Sequence, residues 1–269
     1  MPFTLSHAAA ALPFRRLRPV WPALVMGTFA PDLSYFIWVS DEDRSGHHFP
    51  DVLLVTLPLA LVVLWIFEWI VKGPAFELLP RALQRRLQDK TAPLSFLPWS
   101  RFVAIVLWLT VGIATHLVWD SFTHSHTWMT AHWRVLTEPV MVPFLHPIAL
   151  MKILQHLSSV GGLLIVAAWL GAWYLGTAPA PESAAREFPA LVKGGLVGLM
   201  LIVASISGYC YARFMLAGHE GPISPLSFVA TVFEAITLVL CIELVVYGLT
   251  FRAFHRASSV LTPQLNKNR

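Results

Sequence analysis

Charge and cysteine are both scarce in this chain. Only 13% of its 269 residues are charged, whereas 56% are hydrophobic, and the mean hydropathy is +0.64. A composition this apolar excludes an ordinary soluble domain and indicates residence in a bilayer. The only two cysteines, Cys210 and Cys241, fall inside predicted membrane spans. We therefore interpret them as reduced packing residues that give no evidence about the redox compartment.

Internal repeats, low-complexity tracts and a cleavable signal peptide are not predicted either. What the sequence does have is a series of long apolar runs. A helix needs about 20 mainly apolar residues to cross the hydrocarbon core. Five runs meet that length: 52–72, 101–122, 153–176, 191–216 and 226–251.

A sixth, weaker run at 20–39 contains Pro31 and Asp32, which favours a broken or re-entrant helix over a clean span. Before it, "FTLSHAAAALPF" predicts a short helix capped by Thr4 or Ser6. The fold class predicted from these patterns is all-α. It is a polytopic transmembrane helix bundle of five or six spans with short N-terminal or re-entrant helices.

Residues 1–269 are predicted to form a single integral membrane domain. Its motifs lie in 1–165, and 166–269 supplies packing helices. Within the run 191–216, small residues recur at nearly four-residue spacing. This pattern predicts close helix packing, either within the chain or between the copies of a homo-oligomer.

The formal net charge is +4 and the pI is about 9.3. Lys and Arg cluster in loops beside apolar runs, so membrane topology explains them better than nucleic-acid binding, and no nucleic-acid partner is predicted. The basic connection 73–100 and the basic tail after 251 are predicted to be cytoplasmic. With that orientation, the His- and Asp-bearing ends of the spans gather near the outer face.

The segment "THLVWDSFTH" (115–124) ends an apolar run with His116, Asp120 and His124 at four-residue spacing. On a helix these three residues share one face. Imidazole and carboxylate groups suit a divalent metal, with Zn²⁺ preferred and Mn²⁺ or Fe²⁺ possible ions. The alternative is that His116 and Asp120 hydrogen-bond to each other or to a neighbouring helix.

Ionisable groups beside apolar segments are frequent up to about residue 160, after which His219 and His255 are the only histidines. The predicted metal ligands are His7, Asp32, His47, His48, His116, Asp120, His124 and His156. For His126, His132 and His146 in the outer loop, solvated or substrate-facing roles are favoured. Glu234 and Glu243 lie in the last span, where a carboxylate is a functional candidate, but neither is predicted to be a ligand.

Five stretches together carry a family resemblance: "MPFTLSHAAAALPFRRL", "ALVMGTFAPDLSYF", "SGHH", "ATHLVWDSFTH" and "LQHLSSVGG". They resemble a domain-of-unknown-function family of bacterial multi-pass membrane proteins. They are similar, more distantly, to inner-membrane metal-dependent hydrolases related to zinc-dependent phospholipase C. The match covers about 1–165 by motif and the remainder by hydropathy. It implies a bacterial inner (cytoplasmic) membrane location and metal-binding positions at His7, Asp32, His47 or His48, His116 and Asp120.

The predicted function is a membrane-embedded metal-dependent hydrolase acting on a lipid or lipid-linked phosphate ester at the outer leaflet. Asp120 and Asp32 are its predicted catalytic residues, either ligating the metal or acting as general base. Membrane lipid is the predicted partner. Transport of a metal ion or of protons, and a non-catalytic structural role for a metal or His/Asp network, remain alternatives.

Overall fold

Almost all of the structure is helical, as the long apolar runs predict. The computed structural model describes residues 3–34, 50–141, 147–181, 188–217 and 225–267. A 3-10 helix, Thr4–Leu17, begins the chain. The longer helices are α1 (Trp21–Phe29), α2 (Val52–Leu78), α3 (Arg81–Leu87), α4 (Trp99–Thr123), α5 (Trp128–His132), α6 (Leu150–Gly176), α7 (Ala190–Ala217) and α8 (Pro225–Lys267). Within α2, the segments Val52–Thr56 and Phe67–Val71 are π-helical.

Shorter elements join these helices. Three-residue 3-10 turns occupy Ala30–Asp32, Gln88–Lys90 and Arg134–Leu136. Two antiparallel strands of two residues each, β1 (Pro139–Val140) and β2 (Ile148–Ala149), precede α6. Because helices make up almost all of the described structure, the predicted all-α fold class is confirmed.

Five helical stretches are long and apolar enough to cross a membrane, and they coincide with the five strong runs of the sequence. They are Val52–Leu78, Trp99–His132, Leu150–Gly176, Ala190–Met215 and Thr231–His255. The described part of the sixth run, 20–34, is not one continuous α-helix. It forms the nine-residue α1, the 3-10 turn Ala30–Asp32 and helical backbone at 33–34. The remainder of the run lies outside the described residues.

The described chain falls into two units. The first contains the residues up to Ser34, α2 as far as Leu64, and the chain from Ser95 to Gly176. The second contains α2 from Trp65, the chain to Leu94, and the described residues after Thr177. The division into a motif-bearing part and packing helices within one domain stays a prediction.

In the first unit, α1 packs against α4 at unusually short range. Leu24, Leu109 and Ile113 are buried at this interface, and Gly27 and Gly112 lie opposite each other. A Cβ on either glycine would collide with backbone of the other helix. This close approach needs glycine on both sides, and it sets the height at which α1 ends beside α4.

The N-terminal 3-10 helix packs against α6 in the same unit. Gly162 makes the approach possible, because a Cβ there would lie only 2.7 Å from the carbonyl oxygen of Ser6. The backbone N–H of Phe3 donates to Ser159 Oγ at 3.0 Å and fastens the start of the helix. The predicted helix is present, but the residue at its N-cap is Phe3, with no side-chain cap hydrogen bond.

In the second unit, α7 packs on α8 through a small-residue face. Ala204 and Ala212 are buried, and a Cβ on Gly208 would meet the backbone of Val232 and Ile236. Part of the predicted small-residue pattern thus serves packing within the chain. Gly194 and Gly198 have open space at the Cβ position, and a homo-oligomer contact there stays a prediction.

Candidate functional site

Two side chains on α4 form the centre of a buried polar cluster. His116 and Asp120 are four residues apart, so the helix presents both on one face. Their residues are 0% and 4% exposed. His116 Nε2 lies 3.2 Å from Asp120 Oδ2. Because α4 ends at Thr123, the pair lies in the last two turns of that helix.

The orientation of the His116 ring is set by α1. Its Nδ1 lies 2.8 Å from the carbonyl oxygen of Thr28. A carbonyl oxygen can only accept, so Nδ1 must carry the proton and Nε2 faces the carboxylates. Thr28 follows Gly27 directly, and the close packing of Gly27 on α4 brings this carbonyl within reach. A histidine held by a backbone carbonyl in this way is typical of metal ligands.

Asp32 reaches the cluster from the 3-10 turn after α1. It is 1% exposed, and its Oδ1 lies 3.4 Å from His116 Nε2. Its Oδ2 accepts a 2.6 Å hydrogen bond from the Thr4 hydroxyl. Burial opposes ionisation, but the neighbouring His116 and the hydrogen bond from Thr4 outweigh it and hold the pKa of Asp32 below its usual value. Asp32 is therefore a carboxylate at neutral pH.

His7 comes from the N-terminal 3-10 helix. Its ring stacks on that of His116 with centroids 4.0 Å apart, and Nε2 lies 3.5 Å from Asp120 Oδ1. Within the described part of the chain, His7 Nε2 is buried and makes no hydrogen bond. Burial and the neighbouring His116 lower the pKa of His7 to about 4. His7 is thus a neutral imidazole at pH 7, the form that ligates metals.

The spacing of these groups matches a metal coordination sphere. Ligand atoms of His7, His116 and Asp120 all lie within 4.8 Å of one another, and Asp32 Oδ1 is adjacent. Around a tetrahedral Zn²⁺ with bonds of about 2.0–2.2 Å, ligand atoms are separated by about 3.4 Å. The contacts of 3.2, 3.4 and 3.5 Å, which involve both oxygens of Asp120 and one of Asp32, lie near that value. The residues present fit a divalent cation.

Of the other predicted ligands, one lies at the edge of this centre and one lies outside it. The His124 side chain is 27% exposed, with Nδ1 3.6 Å from Asp120 Oδ2 and 3.2 Å from the Asp120 carbonyl oxygen. It lies at the edge of the cluster. His156 is exposed on α6 and is not brought into the cluster. His47 and His48 lie outside the described residues, so their role as ligands stays a prediction.

The remaining candidates lie elsewhere. His126 and His132 are exposed in the segment after α4, where solvated or substrate-facing roles were predicted, and His146 lies outside the described residues. Glu234 and Glu243 are on α8, in the second unit.

Sequence reasoning missed the residues that position the cluster. Thr4 was interpreted as a helix cap, but its hydroxyl donates to Asp32. Thr28 and Gly27 received no role. The available signal was weak: both threonines and the glycine lie close to the "SH" and "APD" motifs, and nothing in their spacing indicates a partner on another helix.

Comparison with known proteins gives a family and no further relatives. The family described as "Domain of unknown function (DUF4184)" matches residues 1–249. This match extends well beyond the 1–165 in which the sequence motifs lie and takes in all of α7 and most of α8. No curated protein and no solved structure matches the chain. The more distant similarity to metal-dependent hydrolases stays a prediction.

Proposed function

The chain belongs to the DUF4184 family of domains of unknown function, and from that premise we propose that it is a membrane-embedded, metal-dependent hydrolase. The metal is Zn²⁺, and the substrate is a lipid or lipid-linked phosphate ester at the membrane surface. Family membership supplies no activity, so support for the proposal comes from the geometry of the buried cluster.

The observation that carries the proposal is the convergence of His7, His116 and Asp120 ligand atoms within 4.8 Å. Two buried carboxylates, those of Asp32 and Asp120, approach the same imidazole nitrogen. Burying carboxylates together in apolar surroundings is costly unless a cation compensates them. A divalent ion supplies that charge at the one point that all the groups face.

The composition of the ligand set favours zinc. Two imidazoles and a carboxylate are borderline-hard ligands, and three protein ligands with one open position are typical of catalytic zinc. Mn²⁺ and Fe²⁺ accept the same groups. With His7, His116 and Asp120 as the three ligands, Asp32 becomes available for proton transfer.

A bound Zn²⁺ would allow a water molecule to ionise near neutral pH and would place positive charge beside a phosphoryl oxygen. The protein supplies the base. Thr4 holds Oδ2 of Asp32 at 2.6 Å, and this leaves Oδ1 directed at the cluster. We assign Asp32 as the acceptor of the water proton and Asp120 as a ligand. Thr28 keeps His116 in the tautomer that ligation requires.

The segment after the cluster supports a lipid substrate. Within about twenty residues of Asp120, large apolar side chains face outward: Trp128 is 63% exposed, Trp133 51% and Met141 77%. Tryptophans concentrate at membrane–water interfaces. Arg134 lies among them and is exposed, so its guanidinium is available to a phosphate group. The basic connection 73–100 remains the reason to place this end of α4 at the outer face.

Burial favours a second candidate function. His116 and Asp32 are 0% and 1% exposed, and closed sites are typical of structural metals. In that case the ion, or a proton on His116, fastens the N-terminal helix, α1 and α4 together without turnover.

Two measurements on one purified sample test the proposal: bound metal by mass spectrometry, and phosphate release from phospholipid vesicles. We expect one Zn²⁺ per chain and hydrolysis in the wild type. Asp32→Asn should keep the metal and lose hydrolysis, His116→Gln should lose both, and Ser121→Ala, at the surface of α4, should lose neither. Stoichiometric metal without turnover on any lipid would support the structural role. Metal flux into liposomes would support transport, and a metal-free wild type would refute all three metal-based functions.

A further inference from the structure

A cavity of about 400 Å³ lies in the second unit, between the C-terminal parts of α2 and α8. Small-ligand sites typically occupy about 300–1,000 Å³. Apolar walls come from Phe76 and Phe251, and polar groups come from Glu77, Thr91, Arg252 and His255. An apolar wall combined with a few groups of opposite charge indicates an amphipathic ligand.

The cavity lies at the end of the candidate span Val52–Leu78. At the same place the apolar run 226–251 of α8 gives way to Arg252 and His255, while the helix itself continues to Lys267. The two helices run parallel here, because Gly248 packs on Ile70 and Arg252 lies beside Gly73, farther along both helices. The end of a span marks the boundary between hydrocarbon and water. A ligand in this cavity would therefore have its polar part at the depth of lipid headgroups.

Arg252 is the cationic group of the cavity. Its Nε donates to the carbonyl oxygen of Ile70 at 3.5 Å, and this contact lays the side chain along α2. One of its terminal nitrogens lies 3.9 Å from where a Cβ of Gly73 would be, with no other atom near that point. A guanidinium at a lipid boundary is a phosphate-binding group because its forked N–H donors match phosphate oxygens.

The lining of the cavity also carries acceptors. Glu77 provides a carboxylate, and Thr91 donates its hydroxyl proton to the carbonyl of Gln88 at 2.9 Å, so its oxygen acts as an acceptor. An anionic phosphate alone would be repelled by Glu77. A headgroup with a phosphate and an ammonium group matches both the guanidinium and the acceptors.

We propose that this cavity binds the headgroup of a zwitterionic glycerophospholipid. The phosphate contacts Arg252, the ammonium contacts Glu77 and Thr91, and the first part of an acyl chain lies against Phe76 and Phe251. This site is independent of the metal cluster and of the hydrolase activity proposed for it. Its role is specific binding of a lipid by the second unit, at the boundary between hydrocarbon and water.

Native mass spectrometry of the full chain, equilibrated with equimolar phosphatidylethanolamine, phosphatidylglycerol and diacylglycerol, tests the proposal. We expect retention of phosphatidylethanolamine above both others. Arg252→Gln should reduce retention of both phospholipids about tenfold or more, as expected for loss of one charge-assisted hydrogen bond. Glu77→Gln should abolish the preference for phosphatidylethanolamine over phosphatidylglycerol.

Matched controls remove the same charges elsewhere: Arg101→Gln and Glu138→Gln, both at exposed positions, should leave lipid retention unchanged. Gly73→Leu fills the open space beside Arg252 without changing charge, so it should also reduce phospholipid retention. This variant keeps the proposal testable if Arg252→Gln does not fold. Equal retention of diacylglycerol by the wild type, or an unchanged Gly73→Leu variant, would overturn the proposal. Displacement of the lipid by excess inorganic phosphate would reassign the cavity to the free anion.

Discussion

Gly27 on α1 and Gly112 on α4 lie so close together that a Cβ on Gly27 would be 2.9 Å from the Cα of Gly112. The reciprocal distance, from a Cβ on Gly112 to the Cα of Gly27, would be 2.8 Å. This contact lies one turn below the buried cluster. It brings the Thr28 carbonyl to His116 and Asp32 to the same imidazole, so the helix spacing and the site geometry depend on one another.

Gly112→Ala should therefore damage both stability and metal binding. The added methyl group meets the backbone of α1, which has no side-chain freedom with which to yield, and overpacking of this kind costs about 1–3 kcal/mol. We expect a lower apparent Tm in detergent and reduced zinc content. Gly171→Ala is the control, because a Cβ at Gly171 on α6 meets nothing within 4 Å. It should be neutral or slightly stabilising through helix propensity; equal effects of the two variants would contradict the importance of the contact.

The ligand set predicts which histidines matter for metal content. His7→Gln and His116→Gln should each lose stoichiometric zinc, because both ring nitrogens face Asp120 at 3.5 Å or less. His156→Gln should retain the metal, because the side chain is exposed. His124→Gln should also retain it, since the ring already bonds to the Asp120 carbonyl. Zinc measured per chain after dialysis decides the matter, and loss of metal in His156→Gln would show that the coordination sphere is assigned wrongly.

Thr4→Val tests whether the hydrogen bond to Asp32 positions the carboxylate. Valine keeps the shape of threonine but removes the donor that lies 2.6 Å from Oδ2. Loss of such an outer-shell partner typically lowers metal affinity or activity about 10–100-fold. Competition with a zinc chelator measures the metal affinity, and the rate of phosphate release measures the activity. Thr110→Val is the matched control, because its hydroxyl bonds to Val106 on the exposed face of α4.

Local sequence patterns were sufficient for the helices and for part of the site. Hydropathy located the five long helices because each one must be apolar over about 20 residues whatever its neighbours are. Four-residue spacing likewise placed His116 and Asp120 on one face, since a helix fixes that relation by itself. These features are determined within a single helix, so the sequence of that helix is enough to predict them.

Relations between elements could not be predicted in the same way. The hydrogen bond from Thr4 to Asp32 joins residues 28 apart, and that from His116 to Thr28 joins residues 88 apart. Both depend on where α1 and the N-terminal helix come to rest against α4. That placement depends on the missing Cβ atoms of Gly27, Gly112 and Gly162. A missing Cβ atom produces no periodic pattern in the sequence.

The low pKa of His7 predicts a pH dependence of stability in the metal-free protein. Burial and His116 lower this pKa from 6.5 to about 4. An unfolded chain therefore takes up a proton at His7 near pH 6.5, whereas the folded chain does not until about pH 4. The contribution of His7 to the free energy of unfolding is fully present above pH 6.5 and is lost as the pH falls towards 4. The loss is about 3 kcal/mol at most, because one pKa unit corresponds to about 1.4 kcal/mol.

Apparent Tm in chelator should therefore fall more steeply over this window in the wild type than in His7→Gln. Both proteins share Asp32, His116, Asp120 and His124 around position 7, so the difference between the two curves isolates the titration of His7. His132→Gln, at an exposed position, should follow the wild type. Parallel curves for wild type and His7→Gln would mean that His7 has the same pKa in the folded and the unfolded chain, so that burial does not keep its ring neutral below pH 6.5.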